Sequence, residues 1–200
     1  DICAHQATII YSKLPFGNNM KKQKTNKNKG KIKETYLDYA SATPVSASVK
    51  AAMATVDGVF ANPGGLHSRA IEARKTVFEA RKTIARLIDA RPEEIVFTAS
   101  ATESNTLAIT GAVEAWKKMH KDMRPHVVIS AIEHPSIIEI ANMLEIDGVE
   151  ITKVPVDEFG VVKLDELKAA LRPTTVVVSI MQANNEIGTI EPIDAITKTL

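Results

Sequence analysis

Cysteine is nearly absent from this chain, whose 200 residues include only Cys3. One cysteine excludes an intramolecular disulfide framework and a cysteine-based zinc site, and it is typical of proteins that work in a reducing cytoplasm. Long apolar runs are absent too. None approaches the roughly 18 residues that a membrane helix needs, so we expect no membrane partner. The histidines lack the spacing of metal ligands, and we expect no metal.

Charge is balanced over the whole chain but unevenly distributed along it. There are 25 Lys and Arg against 24 Asp and Glu, for a net charge of +1, yet residues 1–33 hold eight lysines and one aspartate. The remainder is therefore acidic. The lysine-rich stretch has little to bury, which predicts a disordered leader over residues 1–33, with Met20 as an alternative true start. Such an arm could bind nucleic acid, but the acidic body favours a solubilising terminus instead.

Strand and helix patterns alternate from residue 36 onward. Strands are predicted at 94–98, 126–130, 149–154 and 175–181, a short extended piece at 36–39, and helices at 44–56, 68–89, 102–118, 135–144, 164–171 and from 192. Strands that are apolar throughout are typical of a parallel sheet with helices on both faces, so the fold class is α/β. Because the last helix has no stop signal, we expect residues 34–200 to be the N-terminal portion of a domain that is incomplete at its C-terminus.

Polar clusters follow three of the predicted strands, at the sheet edge where parallel sheets bind ligands. After 94–98, a turn of small and hydroxyl side chains leads into a helix near Thr102, whose free N–H groups suit a phosphate. Ser100 and Glu103 also match a capping box, which would satisfy such groups without a ligand. The turn is neither a P-loop nor a dinucleotide-binding turn.

The other two clusters follow the strands at 126–130 and 175–181. His134 stands at a switch from strand to helix, where an imidazole can stack on a planar ring, move protons or serve structure alone. Asn184 and Asn185 are expected to be partly buried, so their amides need partners in the turn or in a polar ligand. Three polar clusters at one edge favour a binding site.

Several segments together resemble the cysteine desulfurases, which are pyridoxal-phosphate enzymes of the class V aminotransferase group. They are YLDYASATP at 36–44, Asn62-Pro63 with His67, ATES at 101–104, Glu133-His134 and VSIMQANNEIG at 178–188. The resemblance covers about 36–200 and is most specific at NNEIG. It implies the large domain of a fold-type I pyridoxal-phosphate transferase, in the branch that serves iron–sulfur clusters and tRNA thiolation.

The resemblance also implies roles for four residues. Ala101 and Thr102 would hold the phosphate of pyridoxal 5'-phosphate. His134 would stack on the pyridine ring and act as a catalytic residue in proton transfer, and Asn185 would bind near the phenolic oxygen and the substrate carboxylate. The chemistry of these residues is compatible with each role, but it does not by itself distinguish that role from the alternatives.

The chain departs from the family pattern in three respects. Ser100 stands where the family usually has glycine, and Gly64-Gly65 replaces a serine-containing turn. The family's Schiff-base lysine, its pyridine-pairing aspartate and its persulfide cysteine lie C-terminal to the motifs found here. We therefore expect residues 1–200 to be inactive by themselves.

The implied activity is removal of sulfur from L-cysteine, giving L-alanine and an enzyme persulfide for iron–sulfur cluster or thio-cofactor synthesis. The implied partners are the L-cysteine substrate, a second copy in a homodimer and a sulfur-acceptor scaffold protein. Two alternatives stay open. One is another class V enzyme, such as a selenocysteine lyase or a small-substrate aminotransferase, and the other is a short non-catalytic paralogue that acts as a binding subunit.

Overall fold

The computed structural model describes residues 35–200, which fall into two compact units divided after Pro44. The predicted leader at 1–33 and the alternative start at Met20 lie outside the described residues. In the first unit, the Tyr36 hydroxyl lies 2.8 Å from the carbonyl oxygen of Asp38 and 2.9 Å from that of Ala42, around a turn at 39–41. The extended piece predicted at 36–39 belongs to no strand here.

The second unit, residues 45–200, carries the described helices and strands. The helices are α1 (Ala47–Thr55), α2 (Ser68–Leu87), α3 (Ala101–Met119), α4 (Pro135–Ile146), α5 (Leu164–Ala170) and α6 (Ile193–Thr199), with a short 3₁₀ helix at Pro92–Glu94; the strands are β1 (His126–Ser130), β2 (Glu150–Val154) and β3 (Thr175–Ser179). Most predicted elements are therefore present, with ends that shift by a few residues.

The three strands form one parallel sheet in the order β2-β1-β3. In the central strand, Val127 lies opposite Ile151 on one side and Val177 on the other. The predicted parallel α/β architecture is thus confirmed. Because the strands are parallel, the loops that follow β1 and β3 leave the sheet at the same edge.

The core lies on both faces of this sheet. Val127 and Ile129 pack against α3 and α4 on one face, while Val128 packs with Leu167 of α5 and Ile196 of α6 on the other. All three β1 side chains are fully buried. Since consecutive strand residues point to opposite faces, burial of both faces requires the unbroken apolar run that the sequence shows.

The strand predicted at 94–98 is wrong. The segment leaves the 3₁₀ helix at Glu94 and continues without a ladder partner in the part of the chain that the structure describes. Arg81 of α2 instead donates to the carbonyl of Ile95, and its guanidinium carbon lies 5.0 Å from the centre of the Phe97 ring. Strand propensity alone does not make a strand, because backbone pairing is required as well.

A fully buried histidine begins the central strand. His126 Nδ1 lies 2.9 Å from the Thr175 hydroxyl on β3, and its Nε2 lies 2.8 Å from the Thr152 hydroxyl on β2. The ring thereby joins all three strands at the edge opposite the polar clusters. Desolvation lowers the pKa of His126, the positive charge of Arg172 lowers it further, and Glu150 opposes both effects.

We predict that His126 makes the protein less stable in mild acid. An unfolded histidine titrates near 6.5, and its folded pKa is lower, so the folded state binds fewer protons between these two values. Above about pH 6.5, His126 does not lower the free energy of unfolding. That free energy decreases as the pH falls from there through the folded pKa of His126. Urea unfolding of wild type and His126→Asn at several pH values measures this. Equal pH slopes for the two proteins would contradict the prediction.

Candidate functional site

The first side of the site is the start of α3, where one half of the predicted capping box is present and the other half reaches Ala99 instead of Ser100. The Ser100 hydroxyl accepts the N–H of Glu103 at 3.2 Å, and the Glu103 carboxylate accepts the N–H of Ala99 at 2.6 Å. The Ser104 hydroxyl is also occupied, because it lies 2.6 Å from the hydroxyl of Thr98. Thr102 and Ser104 each have a hydroxyl that could donate to a phosphate. The Ser104 hydroxyl is already hydrogen-bonded within the protein.

The cap leaves two backbone donors available at the same helix start. Among the described residues, the N–H groups of Ala101 and Thr102 and the Thr102 hydroxyl have no acceptor, and both residues are exposed. They begin a helix of 19 residues, whose N-terminus carries a partial positive charge. Capping and anion binding are thus compatible here, because they use different N–H groups. These donors fit the phosphate of pyridoxal phosphate.

The second side is the start of α4, which His134 caps. Its Nδ1 accepts the N–H of Ser136 at 3.1 Å and lies 2.8 Å from the Ser136 hydroxyl. The Asn105 side-chain amide of α3 donates to that hydroxyl at 3.0 Å. His134 is half-buried, and its Nε2 is bonded to nothing in the described part of the chain. Nδ1 of the imidazole therefore caps α4, while Nε2 is available to a ligand.

The third side is the loop after β3, where the two adjacent asparagines differ. The buried Asn184 accepts the N–H groups of Glu186 and Ile187 at 2.8 and 3.1 Å and donates to the carbonyl of Ile132 at 3.0 Å. Asn185 is exposed, and its amide has no partner within residues 35–200. The expected partial burial is therefore right for Asn184 and wrong for Asn185, whose amide is left available to a ligand.

A buried carboxylate ties the second and third sides together. Glu133 accepts the backbone N–H of Met181 at 2.7 Å, next to the bond between Asn184 and Ile132. Burial raises the pKa of Glu133 and the nearby Glu191 adds to this effect, while hydrogen bonds from Met181 and Ser130 lower the pKa. The loops after β1 and β3 are thus held to each other by two independent contacts.

These contacts bring the predicted site residues to one edge of the sheet. The bond from Asn105 to Ser136 joins α3, which begins with Thr102, to the helix that His134 caps. The ties just described join His134's loop to the loop that carries Asn185. The arrangement places free backbone N–H donors, an imidazole and a free amide at the same edge of the sheet.

His67 and the turn before it serve local structure. His67 Nδ1 accepts the N–H of Ala70 at 3.3 Å and so caps α2. The side chain of Asn62 accepts the N–H of Gly64 at 2.9 Å, and the backbone carbonyl of Asn62 accepts the N–H of Gly65 at 3.0 Å, so residues 62–65 form a turn. A Cβ on Gly65 would lie 2.9 Å from the Ala70 Cβ, which disfavours any side chain at that position.

Glu191 has a bracing role that the sequence pattern did not indicate. It is buried, and its two carboxylate oxygens lie 3.3 and 3.0 Å from the Val162 backbone nitrogen. The backbone N–H of Glu191 donates to the carbonyl of Gln182 at 2.8 Å. The Thr189 hydroxyl donates to the carbonyl of Phe159 at 2.6 Å. Residues 159–162 thereby brace the loop that carries Asn185.

We predict that this brace requires glycine at position 160. Gly160 and Gly148 have nearly equal positive φ angles, +82° and +80°, but only at Gly160 would a Cβ meet neighbours, at 3.0 Å from Thr189 Oγ1 and 2.6 Å from the exposed end of Ile187. The Ile187 methyl can rotate away, whereas Thr189 is held by its hydrogen bond. Gly160→Ala should therefore cost about 1 kcal/mol or more beyond Gly148→Ala in urea unfolding. Equal costs would contradict this.

Comparison with known proteins identifies the family. The aminotransferase class-V model matches residues 35–200. The chain belongs to this family. Members of the aminotransferase class-V family depend on pyridoxal phosphate, and the family match confirms the resemblance that the motifs predicted.

Curated relatives in this family are named cysteine desulfurase IscS. The one from Dictyoglomus turgidum is 45% identical over 167 residues, which cover 83% of this chain and 41% of the relative. The one from Shewanella pealeana is 42% identical over 165 residues, which cover 80% of this chain and 40% of the relative. The chain thus spans about 40% of the length of these two relatives.

Solved structures of the same family share the fold. A NifS-like protein matches with a TM-score of 0.72 at 35% identity, over 78% of this chain and 42% of that one. SspA, solved in complex with cysteine, matches with a TM-score of 0.74 at 35% identity, over 83% of this chain and 47% of that one. Among the helices that the structure describes, none is long and apolar enough to span a bilayer.

Proposed function

We propose that the protein is a cysteine desulfurase, which uses pyridoxal phosphate to remove sulfur from L-cysteine and yields L-alanine and an enzyme persulfide. The observation that carries the proposal is the gathering of free donors at Thr102, the Nε2 of His134 and the free amide of Asn185 at one edge of the sheet. Two relatives named cysteine desulfurase and a neighbour solved with bound cysteine support it.

Ala101 and Thr102 would bind the phosphate through their N–H groups and the Thr102 hydroxyl. His134 would lie against the pyridine ring as the catalytic residue, and Asn185 would donate to the phenolic oxygen and orient the substrate carboxylate. When bound, pyridoxal phosphate supplies an electron sink for charge that develops on the substrate α-carbon. The protein residues hold and orient the reacting groups and place a proton-transfer group beside them.

Proton transfer falls to one nitrogen of His134. Its Nδ1 is occupied by the Ser136 contacts, so Nε2 is the atom that would give a proton to substrate, and it could take one only after losing its own. Thr102, by contrast, would carry no proton in the reaction. Its donors would only fix the position of the phosphate, and through it the position of the ring.

The lysine and the cysteine of the reaction are proposed to lie C-terminal to the family motifs found in residues 36–188. None of the lysines of the described residues follows the family's Schiff-base motif, and the single cysteine of residues 1–200 is Cys3. A thiolate is needed to accept the sulfur. Residues 1–200 expressed alone should therefore release no alanine from L-cysteine.

The remaining features of the whole protein are proposals as well. We propose a homodimer, a sulfur-acceptor scaffold protein as partner, and use of the sulfur in iron–sulfur cluster or thio-cofactor synthesis. We also propose a cytoplasmic location, because a single cysteine in residues 1–200 is typical of proteins that work in a reducing compartment. The assignment of residues 34–200 to the N-terminal portion of the cofactor-binding domain and of 1–33 to a disordered leader stays a prediction.

Alanine formation by the full-length protein tests the function. In the absence of reductant, L-cysteine should give alanine and protein-bound persulfide in equal amounts. L-selenocysteine as substrate distinguishes a desulfurase from a selenocysteine lyase. Turnover of L-selenocysteine with none of L-cysteine would replace the proposal by a selenocysteine lyase. Binding of pyridoxal phosphate without turnover of any amino acid would favour the non-catalytic paralogue.

We predict that Thr102→Val weakens cofactor retention by roughly 5- to 150-fold, the equivalent of about 1–3 kcal/mol for a hydrogen bond to a charged group. Dialysis of the full-length protein against free cofactor, followed by absorbance, measures it. The matched control is Thr106→Val one turn further along α3, where the hydroxyl donates to the carbonyl of Thr102 at 2.8 Å. Equal retention by both variants would place the phosphate elsewhere.

A further inference from the structure

The contacts around Ser136 determine more than the cap of α4. Its hydroxyl lies between the Asn105 amide, at 3.0 Å, and His134 Nδ1, at 2.8 Å, and its backbone N–H points at the same Nδ1 from 3.1 Å. All three residues are half-buried. A chain of hydrogen bonds therefore runs from α3 through Ser136 to the imidazole.

The direction of each bond in this chain follows from its donors. A backbone N–H can only donate, so the Nδ1 of His134 offers its lone pair to Ser136. The Asn105 amide donates to the Ser136 hydroxyl, which leaves the hydroxyl proton free to point at Nδ1 as well. Both donors favour an unprotonated Nδ1. The single proton of the neutral imidazole then resides on Nε2, the nitrogen that has no partner in residues 35–200.

We propose that Asn105 and Ser136 are positioning residues that hold His134 in the tautomer with its proton on Nε2 and fix its ring at the start of α4. The use of this tautomer in sulfur removal rests on the proposed function, whereas the tautomer itself does not. Because Asn105 belongs to the helix whose first residues would bind the phosphate, the chain of bonds would also set the imidazole relative to the phosphate site. Partners that orient a metal-binding histidine are worth roughly 10- to 100-fold in affinity or activity, and we expect an effect at the lower end of this range for His134.

Nitrogen NMR of the full-length protein without cofactor tests the tautomer directly. With ¹⁵N-labelled histidine, wild-type His134 should show an unprotonated Nδ1 and a protonated Nε2. In Ser136→Ala, which removes the shorter of the two contacts to Nδ1, the Nδ1 signal should move toward the protonated position as the second tautomer becomes populated. Ser136→Thr keeps the hydroxyl and should restore the wild-type signals. Asn105→Ala provides a second route to the same result if Ser136→Ala does not fold.

Kinetics supply the second readout, with Asn142→Ala further along α4 as the control. Ser136→Ala and Asn105→Ala should lower kcat about tenfold with little change in KM, and the control should change neither. Signals for Nδ1 and Nε2 that are identical in wild type, Ser136→Ala and Asn105→Ala would overturn the positioning role. A shifted tautomer in a protein that binds no pyridoxal phosphate would support this role while rejecting the proposed function, so the two failures are distinguishable.

Discussion

Replacing His134 with alanine should lower alanine formation from L-cysteine by 100-fold or more in the full-length protein. A positioned general acid–base group contributes roughly 10²- to 10⁴-fold to rate, and the loss of the proposed contact between the ring and the cofactor would add to the effect. The expected change is mainly in kcat, because the proton transfer is needed in the transition state more than in binding. Steady-state kinetics with saturating cofactor measure it.

The stability of the same variant must be measured, because His134 also caps α4. Loss of a cap costs about 1 kcal/mol. His67→Ala provides the matched control, since His67 caps α2 through its own Nδ1 in the same way. The two variants should lose similar amounts of unfolding free energy. A His134→Ala enzyme with wild-type turnover would show that the imidazole is structural only.

Adjacent asparagines should give opposite results when each is changed to alanine. Asn184→Ala removes a buried amide that serves Glu186, Ile187 and Ile132, so we expect it to lower the unfolding free energy by roughly 2–4 kcal/mol. Asn185→Ala removes an exposed amide without partners in the described chain and should change stability by less than about 0.5 kcal/mol. Cofactor affinity and turnover should nevertheless fall in Asn185→Ala.

Urea unfolding and cofactor titration of the two variants decide between these expectations. Each variant serves as the control for the other, because the residue type, the substitution and the loop are the same. A destabilised Asn185→Ala, or an Asn184→Ala protein as stable as wild type, would show that the roles of the two amides are exchanged.

Much of the fold was predictable because its signals are local. The strand at 126–130 was predicted with its observed bounds, since an unbroken β-branched run is what a strand buried on both faces requires. The strand at 94–98 failed because pairing depends on neighbours far along the chain. The bridging role of His126 was likewise hidden, because it requires the strand order β2-β1-β3.

The candidate site divides in the same way. Thr102, His134 and Asn185 stand directly after predicted strands, where turn chemistry and the family resemblance both point. The contacts that join them were not predictable, since they connect residues 31 and 48 positions apart, from Asn105 to Ser136 and from Glu133 to Met181. Such pairs depend on how α3 and the two loops pack, which no local pattern encodes.

The contact between Glu133 and Met181 also limits how this protein can be recombined with its relatives. Any crossover placed between residues 134 and 180 would inherit the accepting carboxylate from one parent and the loop that donates to it from the other. Chimeras joined before residue 105 or after residue 191 keep both this contact and the bond between Asn105 and Ser136 from a single parent, and they are the designs in which an active enzyme is expected.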